Sequence, residues 1–112
     1  MTEPADDTPV RDLLAEMTAA SVVASSLDAD TLALVRIAAL VAVDAPPASY
    51  LLNLGAAAEL GIDGDRVRGV LTAIAPIVGT ARVASATGKI VDALDIGIEI
   101  AELAELDAQD AN

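Results

Sequence analysis

Between Arg36 and Asn53 the sequence places four side chains that can recognise a small molecule: Arg36, Ser49, Tyr50 and Asn53. Arg36 sits in the apolar run "TLALVRIAALVAV", and a guanidinium meets a carboxylate through two parallel hydrogen bonds. Ser49 and Asn53 are four residues apart, the spacing that puts two side chains on one helix face. Tyr50 adds a phenol donor. Together they can line a small polar pocket for an organic acid. Each also admits a purely structural role. Ser49 and Asn53 can satisfy backbone groups or a buried water, and Tyr50 can pack with its hydroxyl in solvent. Arg36, expensive to bury unpaired, can pair with Asp44, Glu59 or an acid of another subunit; removing one partner of such a pair costs about 3–5 kcal/mol.

Much chemistry is excluded by what the chain lacks. It has no Cys and no His. Disulfides, thiolate nucleophiles and thiolate metal sites are therefore absent, and so are the commonest general base and the commonest transition-metal ligand. No cofactor and no metal are expected. Asp92, Asp95 and Glu99 are acids on one helix, without the looped spacing of a calcium site. With 18 acids against 6 bases, the net charge of −12 repels phosphate backbones and anionic membrane surfaces. Neither nucleic acid nor membrane is an expected partner.

The elements that must position these residues read as helices. Thr8-Pro9 suits a helix start, with Thr8 as N-cap and Pro9 at the first helical position. Val10, Leu13, Leu14 and Met17 then give one apolar face, and "SVVASSLDAD" breaks the pattern. Asp28 or Asp30 can cap a second helix running to about Val43. It is apolar nearly all round, as a central helix is. Pro47 opens a third helix, and Gly61 ends it in a left-handed conformation. Asp63 caps a fourth, which Pro76 kinks or closes. Thr80 caps a fifth, from about Ala81 to Leu106, with Val83, Ile90, Val91, Leu94, Ile98 and Ala101 on its apolar face. Gly88 and Gly97 inside it cost up to about 1 kcal/mol each against Ala, and close contact with another helix is the expected return. The class is all-α, about five helices in one domain over 8–106, with disordered acidic ends at 1–7 and 107–112.

Three segments carry a resemblance. "LDADTLALVRIAALVAV", "NLGAAAELGID" and "VLTAIAPIVGT" resemble successive helices of the carboxymuconolactone decarboxylase and AhpD-like family, over roughly Leu27 to Ala84. The second segment is similar to that family's His-x-x-x-Ala-x-x-x-Gly helix end. The resemblance implies a small helical bundle assembling as trimers or hexamers. It also implies where a redox site would lie. Counting back from Ala57 and Gly61, the histidine position falls on Asn53, the second cysteine on Ser49 and the first on Pro46. The upstream glutamate falls near Ala33 or Leu34. All four chemical groups are missing.

A dithiol reaction needs two thiols and a base that lowers one thiol's pKa, so disulfide-based peroxidase activity is not expected. A degenerate, non-catalytic binding or scaffold protein is the expectation. The alternative is a cysteine-independent decarboxylase or isomerase that uses Arg36 with Tyr50 or a carboxylate on a small organic acid. The chain is 54% hydrophobic with a single aromatic residue, Tyr50, and so apolar a chain hides surface in a partner. A homo-oligomer is expected, with a small carboxylate as candidate ligand. No basic region followed by an apolar run marks a signal peptide, which makes the cytoplasm the expected location.

Overall fold

The computed structural model describes residues 7–110, and within them the side chains of 7–94, 102–103 and 105–106. The expected disorder of residues 1–6 and 111–112 lies outside the described residues, as do the side chains of Ile98 and Ala101. Five helices follow in order: α1 (Thr8–Ala24), α2 (Ala29–Ala42), α3 (Pro47–Glu59), α4 (Gly64–Val78) and α5 (Thr80–Asp110). No strand occurs among the described residues, and the protein is all-α.

Local chemistry explains most boundaries. The Asp28 carboxylate accepts the backbone N–H of Thr31 at 2.7 Å and opens α2. Asp63 does the same for Arg66 at 3.0 Å and opens α4. Each satisfies a donor that the first helical turn leaves without an intrahelical partner. Asp30, the other candidate cap, instead pairs with Arg66 at 3.2 Å, tying α2 to α4. That pair is about half exposed, so it contributes under about 1 kcal/mol.

Two helices end in the same six-residue hydrogen-bond motif. After α3, Ile62 N–H donates to the Ala57 carbonyl and Gly61 N–H to that of Ala58, both at 3.0 Å. Gly61 takes φ 79°, and Ala57 and Ile62 are both buried beside the turn. After α2, Ala45 N–H donates to Leu40 and Asp44 N–H to Val41. Here the left-handed residue is Asp44, φ 53°, where glycine is usual.

Several boundaries differ from the sequence reading. Asp7, not Thr8, precedes the first turn of α1. The helix also continues through "SVVA" to Ala24, because no residue in that stretch bars helical φ. Pro76 lies inside α4 and does not end it. Gly79 ends it, at φ 96° and ψ 157°, in a region essentially reserved for glycine. Helix α5 passes the expected end at Leu106 and reaches Asp110.

The core forms where α2 meets α3, α4 and α5. Ala33, Ile37 and Val41 supply one face of α2, against Tyr50 and Ala57 of α3, Val67 of α4, and Ala86, Ile90 and Ala93 of α5. Small side chains let these helices approach closely. The expected apolar girdle of α2 is only partly covered, since Val35 is 51% and Val43 71% exposed. Helix α1 has no buried residue at all. Its stripe of Val10, Leu13, Leu14 and Met17 is more than half exposed. Gly88, expected against another helix, has no atom within 4 Å of where a Cβ would stand.

Candidate functional site

The middle of α2 and the middle of α3 face one another across a groove that α1 borders. Its inner part, about 270 Å³, is walled by Val22, Leu27, Leu32 and Leu60. Its outer part, about 560 Å³, is walled by Leu14 and Met17 of α1 and Leu52 of α3. Arg36, Asn53 and Ala56 line both parts, which makes them the seam where the two halves join. Among the described residues no acid lines either part.

Arg36 is half-buried, less than the sequence suggests. It also lacks the expected carboxylate: no ion pair includes it among the described residues. Its Nη2 donates to the backbone carbonyl of Thr18 in α1 at 3.2 Å. The reason is positional. Asp44 is occupied at the far end of α2, and the side of α2 bearing Arg36 meets a helix that stands off from the bundle. A guanidinium has five N–H donors, so most of its capacity remains open to the groove.

The other sequence candidates separate. Asn53 is half-buried, and its Nδ2 donates to the Ser49 carbonyl one turn earlier at 2.9 Å. That bond is the structural role, and it aims the amide along its own helix. Ser49 is half-buried but is not among the residues walling the groove. Tyr50 is 0% exposed. It sits in the core, and its hydroxyl has no hydrogen-bond partner among the described residues. Burial, and secondarily the nearby Asp44 carboxylate, push the phenol above its ordinary value of 10.0. A phenol held protonated cannot act as a base at neutral pH.

The sequence reading missed a second polar cluster, at the C-terminus of α2. Asp44 accepts the Ser85 hydroxyl at 2.8 Å and Lys89 Nζ at 2.9 Å. Lys89 also donates to the Asp44 carbonyl at 3.2 Å, and Arg82 Nη1 donates to the Ala42 carbonyl. The Lys89 and Ser85 hydrogen bonds hold the Asp44 carboxyl below its ordinary value. Serine and lysine side by side suggest nucleophilic catalysis, but both spend their donors on one carboxylate, and a depressed carboxylate is a poor base. The cluster is a clamp. It sets cations on the negative end of α2 and fastens the α2–α3 turn to α5. The available signal was the i, i+4 spacing of Ser85 and the chain's one lysine.

Among the described residues no group of three or more acids could hold a metal, and no helix is long and apolar enough to cross a membrane. Compared with known protein families, with curated proteins and with solved structures, the chain matches none.

Proposed function

We propose that this protein is a non-catalytic, self-associating helical binding module, a degenerate relative of the carboxymuconolactone decarboxylase and AhpD-like proteins. The observation that carries the reading is the apolar surface left uncovered. Helix α1 buries none of its residues, and Val35 of α2 and Val43 just after it leave further apolar surface open. The chain exposes 7937 Å², against about 5,700 Å² for a compact monomer of its mass. Its radius of gyration is 16.5 Å, against about 13 Å for a compact domain of this length. The excess of about 2,200 Å² of total surface on one chain is more than the roughly 800 Å² per partner that a standard interface buries. The family proposal rests on the resemblance of the three segments; Ala57 is buried and Gly61 left-handed, as at any glycine-ended helix.

The groove favours binding over reaction. Its polar side chains are Arg36 and Asn53 with the peripheral Thr18 and Ser21, and none of these transfers a proton usefully near neutral pH. The second reading, a cysteine-independent decarboxylase or isomerase, draws on the same unpaired Arg36. It would need its acid or base from another subunit.

Sedimentation equilibrium across micromolar concentrations tests the assembly. A closed oligomer, a trimer or hexamer, is the expected mass. A monomer throughout the range would overturn it.

A further inference from the structure

We propose that the groove between α1 and the α2–α3 pair binds a single-chain organic acid, its carboxylate on Arg36 and its unbranched apolar tail along the aliphatic walls. The inference deepens the binding half of the proposed function and does not require self-association.

Three observations on the groove converge. The first is charge. The chain carries 18 acids and 6 bases; Arg66, Arg68 and Lys89 sit on Asp30, Asp65 and Asp44, while Arg82, which like Arg36 meets a backbone carbonyl, lines neither part of the groove. Arg36 is half-buried, donates to a backbone carbonyl, and among the described residues has no acid beside it in the groove. A partly desolvated guanidinium with open donors binds a carboxylate bidentately, and such charge-assisted bonds are the strong ones.

The second is the wall. Away from Arg36, Asn53, Thr18 and Ser21 the lining is aliphatic in both directions from the seam. An apolar enclosure with a few convergent polar groups is the usual form of a small-molecule site, and the outer volume of about 560 Å³ lies in the usual range. The third is the sign of the whole molecule. At −12 it repels polyanions, while a monoanion needs only the one cation present. A free acid with an apolar tail satisfies all three; a nucleotide or a short polar acid does not.

Helix α1 is then the movable wall. None of its residues is buried, and a side-chain bond to Arg36 joins it to α2. A tail against Leu14 and Met17 gives α1 the apolar contact it lacks, so binding should order it.

The test titrates sodium decanoate, below its micellar concentration, into the full chain by calorimetry, with amide hydrogen exchange on the same samples. Decanol supplies the tail without the carboxylate, and acetate the carboxylate without the tail. Decanoate should bind saturably and slow exchange in α1, with decanol weaker and acetate inert. Arg36→Met keeps the stem and removes the charge; it should weaken decanoate roughly tenfold or more and leave decanol unchanged. Should that variant fold poorly, Ala56→Phe fills the seam from an exposed helix position and should abolish decanoate binding with the melting temperature preserved. Equal decanoate affinity in wild type and Arg36→Met would overturn the proposal. So would an absence of binding, including the case where α1 protection rises with protein concentration alone, which would make a second copy the occupant. Because mass is read separately, failure here leaves the assembly reading standing, and a monomer that binds decanoate separates the two the other way.

Discussion

Tyr50 and Asp44 carry the sharpest residue-scale consequences. The Tyr50 hydroxyl is buried with no partner among the described residues, and an unsatisfied buried donor costs about 1–3 kcal/mol. Tyr50→Phe keeps the ring packing and removes that cost, so stability should rise by about 1 kcal/mol. A urea midpoint that falls instead would show that the hydroxyl is satisfied in solution. Asp44 occupies a left-handed position, which Asp tolerates better than most side chains, and it uses its carboxylate to hold Ser85 and Lys89. Its folded pKa is depressed from 3.8. The stabilisation it supplies is therefore present above that value and is lost as pH falls through it toward the lower folded value. Asp44→Asn should melt below wild type at neutral pH, and the gap should narrow as the pH falls below 3.8 toward the lower folded value. A gap independent of pH would mean that the carboxylate charge contributes nothing. Relief of repulsion among the other acids shifts both proteins together, which is why the difference is the quantity to measure.

At the scale of elements, Gly79 and Gly88 behave differently. Gly79 separates α4 from α5 at φ 96°, and an added Cβ would meet no atom within 4 Å. Any loss in Gly79→Ala is therefore conformational. About 1–3 kcal/mol is expected, read as a lower denaturation midpoint with unchanged helicity. Gly88 also meets open space but lies in regular helix, so Gly88→Ala should gain up to about 1 kcal/mol. A reduced mass in that variant would place Gly88 at an intersubunit contact instead. The caps at Asp28 and Asp63 were readable in advance because capping is local and needs only the three residues that follow, whereas Thr8 does not cap α1. The fate of Gly88 was not readable, because the same helix pattern fits a crowded or an open neighbour.

For the whole molecule, apolar surface and net charge oppose one another. Exposed apolar surface on α1 and at Val35 and Val43 favours association, while −12 per chain resists it over about a Debye length, roughly 8 Å at physiological ionic strength. Salt screens the repulsion and leaves the apolar contacts, so association should tighten between low and moderate salt. Dissociation on adding salt would assign the interface to ion pairs. From sequence alone came the all-α class, the five elements, the Asp28 and Asp63 caps and the exclusion of thiol and imidazole chemistry. Each of these depends on residue identity or on spacing within a few positions. Tertiary structure decided the rest. It put Arg36 and Asn53 in one groove, withdrew Tyr50 into the core, joined Asp44 to residues some forty positions away, and left α1 without a burial site. Those outcomes depend on how helices pack, and a helical pattern states which face is apolar without stating what covers it.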